Sequence, residues 1–237
     1  LLVGVVHLDP QGFGKALRFF QRHRPDLIMV ELSPFGRRFR KERGRRLKKA
    51  VQKNLKKAAR TSGIPLNRAR RHPAVRNIFL QLALPFEYRA AVAFARTSEA
   101  KVMLVDSSRF SRYWIGFWPE LITVTNLHKL IASPAAQPSA PSIYRAAQDS
   151  LRHLHRPDRP HLQTRLYLGS IDEMWAEREH HLADRIRDAL TLRQPQRPIY
   201  IGGWRHLTVN ALAPTLRQIL HLEPSQCCLL TAEEQSP

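Results

Sequence analysis

Acidic residues are scarce in this chain: its 237 residues include 39 Lys and Arg but only 19 Asp and Glu. The shortage is local. Between Leu32 and Phe86 a single acid, Glu42, stands among 17 basic residues, so the excess charge belongs to one segment. Cysteine is almost missing as well. Its two copies, Cys227 and Cys228, are neighbours, and adjacent thiols cannot staple distant segments, which excludes a disulfide framework and points to a reducing or thiol-indifferent compartment. Long apolar runs are lacking too. The longest candidate, "YWIGFWPELITVTNL", is broken by Pro119 and Glu120 and falls short of the ~20 apolar residues of a spanning helix. No secretory signal or short-period repeat is visible. The chain as given reads as cytoplasmic, with peripheral membrane association as the alternative. It opens at Leu1 rather than at a methionine, so an upstream targeting segment or anchor stays open. Its length suffices for a core that needs no disulfide or structural metal.

What is present alternates between short β-branched runs and helical patterns. "LLVGVV" and "PDLIMVEL" read as buried strands around a helix over "KALRFFQRHR", a βαβ unit with parallel pairing. "AKVMLVDSS" and "RPIYIGG" read as two further strands, and "HPAVRNIFLQLAL", "PFEYRAAVAFARTS", "YRAAQDSLRHLH", 171–192 and "TVNALAPTLRQIL" as helices. Residues 41–60 place Leu47, Val51, Leu55 and Ala58 at helical intervals within a basic surface. The expected fold is α/β, with a mixed, mainly parallel sheet flanked by helices, built from two related halves that each end a strand in Gly-x-x-His. One domain is expected over 1–225, with a basic helical insertion at about 36–76, a flexible Pro/Ala/Ser loop at about 133–142 and a tail from 226 to 237.

The repeated Gly-x-x-His, at Gly4–His7 and Gly203–His206, carries the functional argument. Ligands in parallel α/β sheets collect beyond the carboxyl ends of the strands, and His7, Glu31, Asp106 and His206 all fall there. The glycines suit a chain that leaves a strand sharply, through permissive φ and close backbone approach. Two imidazoles with carboxylates suit a divalent transition metal, with Zn, Mn and Co as alternatives. The bland alternative is that both histidines cap turns.

The order of motifs resembles the TraB/PrgY pheromone-shutdown family and its relatives, the TIKI-type metalloproteases. "GVVH", "VELSPFGRR", "LPFEYRAAVAFA", "VMLVDSS", "AEREHHLADRI" and "YIGGWRHL" follow in that family's sequence over about 1–32, 84–107 and 174–210. Phe86 stands where the family has glycine, Ser107 where it has arginine, Glu179 where it has Asn or Asp, and Leu182 where it has methionine. The resemblance implies a metal-dependent hydrolase of a peptide or amide bond. Metal donors would come from His7, His206, Glu31 and Glu87, one glutamate completing the site and the other serving as general base on a metal-activated water. Glu87 also suits a helix N-terminus as a plain favourable acid. Glu177 and Arg178 join the catalytic set, Arg178 against a carboxylate or an oxyanion, unless their helix face is merely solvated. Asp106 would orient a ligand imidazole or cap its own turn. Relatives of the same broad fold include erythromycin-esterase-like hydrolases and haem-binding lipoproteins, so a non-catalytic protein sequestering a peptide or cofactor is the alternative reading. A basic nucleic-acid-associated protein is the second alternative. Lys48, Lys49, Lys53, Lys56 and Lys57 then form an electrostatic surface within 37–76 for lipid headgroups or a nucleic acid backbone.

Overall fold

The computed structural model describes residues 1–134, 138–152, 170–210 and 213–231. In chain order the elements are β1 (Leu2–Val5), α1 (Gly12–His23), β2 (Leu27–Val30), α2 (Pro34–Thr61), α3 (Leu66–Arg71), α4 (Pro73–Gln81), α5 (Phe86–Ala95) and β3 (Lys101–Leu104). There follow α6 (Ser108–Gly116), α7 (Trp118–Leu121), α8 (Val124–Ala132), α9 (Ala140–Arg152), α10 (Ser170–Arg193), β4 (Pro198–Gly203), a 3-10 turn (Trp204–Leu207), α11 (Leu216–Ile219) and β5 (Cys227–Leu229). The fold is α/β, as expected.

The described residues divide into two compact units. The first comprises Leu1–Leu32, Phe86–Ser107 and Ala140–Pro237; the second comprises Ser33–Pro85 and Ser108–Ser139. The basic insertion expected at about 36–76 falls within the second of these units. The basic segment recruits the aromatic stretch after β3, which the sequence reading left without an element, as α6 to α8. The loop expected at 133–142 lies partly outside the described residues, and its last three positions already belong to α9. The expected tail from 226 also begins too early, because Cys227–Leu229 is an edge strand. Three residues, none of them β-branched, are too short a signal to read. Neither Cys227 nor Cys228 forms a disulfide, and the strand turns the two side chains toward opposite cores.

The sheet of the first unit is parallel throughout, in the order β3-β2-β4-β1-β5. Its strands are apolar on both faces, as burial between two helical layers requires. Alternation then sorts the side chains. Leu2, Leu27, Met29 and Tyr200 point to a core shared with Tyr144, Leu182, Ile186 and Leu216. Val3, Val5, Ile28, Val30, Ile199 and Ile201 point to one shared with Phe19, Phe20, Ala91 and Phe94. The first core is roofed by α9, α10 and α11, the second by α1 and α5.

The second unit has its own core, in which Val51, Leu55 and Ala58 of α2 meet Val75, Ile78, Trp118 and Leu127. Helix α2 begins at Pro34, earlier than the expected 41. Ser33 caps it by accepting a hydrogen bond from the Gly36 amide at 2.8 Å, and proline occupies the first turn.

Candidate active site

The ladder between β1 and β4 determines the site. Gly4 pairs with Gly202 and Val5 with Gly203, so the two Gly-x-x-His motifs lie side by side, offset by one residue. His7 lies two residues beyond β1. His206 is carried by the 3-10 turn after β4. None of these glycines has positive φ, so the expected need for a permissive backbone is not the reason for them. Close approach is. A Cβ on Gly4 would come 2.9 Å from the Trp204 backbone, one on Gly203 2.8 Å from His7 Nε2, and one on Gly202 2.6 Å from Glu31 Oε2.

Glu31, one residue beyond β2, is the centre of the cluster. Its amide donates to the Ile201 carbonyl at 3.0 Å, which aims the side chain across β4. Its Oε2 lies 3.4 Å from His7 Nε2 and its Oε1 3.1 Å from His206 Nε2. The Gly203 amide and the Arg178 guanidinium also donate to it. Each imidazole is held from behind by a second carboxylate. His7 Nδ1 meets Glu87 Oε1 at 2.7 Å, and His206 Nδ1 lies 2.6 Å from Glu179 Oε1. Glu179 also accepts from the Leu216 amide at 2.6 Å.

Arg178 closes the arrangement. Its Nε and Nη2 make a fork on Asp106 at 2.8 and 3.0 Å, the geometry a planar guanidinium suits best. Asp106 therefore orients Arg178, and takes the Ser107 amide at 2.8 Å. It does not orient a ligand imidazole. Arg178 in turn works on carboxylates. Trp175, one turn earlier on α10, lies parallel to His206 with centroids 5.6 Å apart and carries the Arg178 guanidinium over its ring at 5.2 Å.

Electrostatics follow from enclosure. Burial would push the Glu31 carboxyl up, but His206, Arg178 and His7 together hold it well below its ordinary value. Burial would likewise lower His206, yet Glu31 and Glu179 raise it to about 9. His7 rises to about 10 for the same reason, through Glu31 and Glu87. However, 48% of its side-chain surface is exposed, against 1% for His206, so water screens its partners and the His206 shift is the firmer. Burial and Glu31 push the Tyr200 hydroxyl well above its ordinary range.

Of the residues singled out in the sequence, His7, His206, Glu31, Glu87, Asp106 and Arg178 are brought together. Glu177 is not. It lies exposed on α10, and the carboxylate that enters the site is Glu179, fully buried two positions later. A 200° rotation separates positions i and i+2 of a helix, so the two glutamates cannot share one role. Sequence reasoning also missed Trp175 and Tyr200; the only available signal was their helical and strand spacing toward Arg178 and Gly202. The five lysines of α2 belong to the second unit and take no part. The departure at Phe86 has a local explanation: its ring packs so closely on Gly12 that a Cβ there would overlap three ring carbons.

The donor set suits a divalent metal in type. Four carboxylates, from Glu31, Glu87, Asp106 and Glu179, face one arginine and two imidazoles, so negative charge is in excess whether the imidazoles are neutral or protonated. Three buried oxygens of the cluster, Glu87 Oε2, Glu179 Oε1 and Tyr200 Oη, make no hydrogen bond among the described residues, and the approach of Glu179 Oε1 to His206 Nδ1 is an ion-pair contact rather than an aligned hydrogen bond. Among the described residues no group of three or more His, Cys, Asp or Glu is placed so as to hold a metal ion. The inner nitrogens of His7 and His206 instead face Glu31, backed by carboxylates in the way outer partners back metal-binding histidines. Comparison with protein-family models, curated proteins and solved structures finds no match to this chain.

Proposed function

We propose that this cluster is the centre of a divalent-metal-dependent hydrolase acting on a peptide or amide bond, the activity implied by the TraB/TIKI resemblance. The observation that supports the reading is Glu31 held between two imidazoles whose outer nitrogens meet Glu87 and Glu179. His7, His206 and Glu31 would hold the ion, with Zn, Mn and Co as alternatives. When bound, it would supply Lewis acidity toward a carbonyl and toward water.

The remaining roles belong to the chain. Arg178 keeps Glu31 ionised and fixed in orientation, and Asp106 keeps Arg178 in place. Glu179 fixes the tautomer and ring plane of His206. Glu87 holds His7 through one oxygen and leaves the other without a partner, which makes it the proton acceptor for water. In this proposal Glu31 takes the ligand role and Glu87 the base role. Substrate approaches from the side of His7, the half-exposed imidazole.

A second reading, a non-catalytic protein that sequesters a peptide or cofactor, is favoured by one observation. Glu31 meets both imidazoles, an arginine and a backbone amide at once. Calorimetric titration of chelator-treated protein with Zn, Mn and Co, beside a quenched-peptide cleavage assay, separates the two. The hydrolase reading expects stoichiometric binding that His7→Ala and His206→Ala abolish, with cleavage that depends on the ion. Failure of all three ions to bind or to restore cleavage leaves the sequestering reading.

A further inference from the structure

The second unit carries nearly all the charge of the protein. Within Ser33–Pro85 and Ser108–Ser139 there are 20 Lys and Arg and two acids, Glu42 and Glu120, a net of +18 out of +20 for the whole chain. Of those 20, 13 are arginine. Helix α2 displays most of them along 28 residues, a rod of about 42 Å at 1.5 Å per residue. Lys48, Lys49, Lys53, Lys56 and Lys57 have no carboxylate partner among the described residues. Self-repulsion among these like charges works against the compact state, and an anionic partner lying along the helix would relieve it.

The chemistry of that polyanion is narrowed by two features of the same unit. The apolar positions of α2, Val51, Leu55, Ala58 and Ala59, are spent inside the unit's core. Its outward face is charged and polar, with nothing to insert among lipid tails, whereas a membrane-surface helix keeps an apolar face free. Beside the start of α2 lies α6, tied to it by the Ser33–Ser111 hydroxyl bond at 2.7 Å and by Arg112 over the Phe35 ring at 5.0 Å. Helix α6 and the residue after it expose three rings together: Tyr113 at 43%, Trp114 at 37% and Phe117 at 42%. These rings pack edge-to-face or tilted on one another and stay partly exposed, and aromatic rings beside a track of arginines and lysines are the two parts from which single-strand sites are built.

We propose that the second unit binds single-stranded nucleic acid, with phosphates running along α2 and bases stacking on Trp114 and its neighbours. The inference is independent of the hydrolase reading, since no residue of the strand-end cluster takes part.

The test uses the full chain, a fluorescein-labelled oligo(U) strand, the same sequence as a duplex, and vesicles of mixed phosphatidylcholine and phosphatidylserine. About six phosphate contacts predict an affinity that falls roughly 10²-fold between about 50 and 200 mM salt. Trp114→Ala weakens single-strand binding about tenfold or more while leaving the salt slope unchanged. Replacing Lys49, Lys53, Lys56 and Lys57 by glutamine flattens the slope, and His7→Ala changes neither. Circular dichroism of each variant guards against misfolding, and Trp114→Phe, which keeps a π-face, restores most of the affinity lost in the alanine variant. Three results overturn the proposal: binding to vesicles but not to oligo(U), equal or stronger binding to the duplex, or single-strand binding that is indifferent to Trp114→Ala.

Discussion

Gly4 and Gly202 face each other across the parallel ladder of β1 and β4, and this pairing brings two imidazoles from opposite ends of the chain to one carboxylate. His7 and His206 each lie within 3.4 Å of Glu31. The ladder does more than juxtapose them. Without a side chain at Gly4, Gly202 or Gly203, the turn carrying His206, the Glu31 carboxylate and the His7 ring can close on the same small volume.

Glu31→Gln should be the most damaging conservative change in the first unit. It preserves shape but removes the charge that two imidazoles and Arg178 share, and breaking one side of a buried ion pair costs about 3 kcal/mol or more. Chemical denaturation should show that loss as a lower midpoint with an unchanged slope. A change below about 0.5 kcal/mol would mean that Glu31 does not organise the cluster.

Glu177 and Glu179 should separate cleanly. Glu179→Ala strips a buried partner from His206 and from the Leu216 amide and should cost about 2–4 kcal/mol. Glu177→Ala, at an exposed position, should stay within about 0.5 kcal/mol. Equal effects of the two variants in thermal unfolding would contradict the side-chain placement on α10.

Gly202→Ala should destabilise by about 1–3 kcal/mol through overpacking, because its methyl would press on Glu31 and on the Tyr200 hydroxyl. Removing that hydroxyl makes room. A double-mutant cycle with Tyr200→Phe should therefore recover part of the loss, and Tyr200→Phe alone should cost little because its oxygen has no hydrogen-bond partner. Strict additivity in the cycle would refute the steric account.

Asp26 links the entrances of three strands. Its side chain accepts the Gln196 and Arg197 amides at 2.6 and 3.0 Å, and its carbonyl accepts the Lys101 amide at 2.9 Å. Partial burial raises its pKa slightly, but these amides lower it overall. The sign follows from linkage. A carboxyl depressed in the folded state contributes stability that is present above its unfolded pKa of about 3.9 and lost as pH falls through the folded value. Asp26→Asn should cost about 1 kcal/mol at neutral pH, discounted for the exposure of the loop, and the gap should narrow below about pH 4. Urea midpoints across that range would test it; a gap that widens in acid has the wrong sign.

Much of the first unit was legible because parallel strands buried on both faces write themselves as short, bounded runs of β-branched residues. "LLVGVV", "DLIMV" and "PIYIGG" could be read without a structure, and so could the convergence of strand-end residues, which follows from the topology of parallel sheets. Other features left no such trace. The edge strand at Cys227–Leu229 is three residues long and looks like tail. The second unit is built from segments on both sides of α5 and β3, and pairing across such a gap has no sequence period. Glu177 and Glu179 differ only in which way a helix faces, and apolar spacing on α10 did not settle its rotation.

By itself, then, the amino-acid order determined the α/β class, the local ends of the strands, and the concentration of positive charge in one stretch, since each depends on neighbours within a few residues. Only the tertiary structure decided which carboxylate faces which imidazole, that Asp106 serves Arg178, and that the aromatic run after β3 shares a core with α2. Those relationships depend on sheet order, a one-residue register and helix rotation, and these are set by packing between segments that lie far apart along the chain.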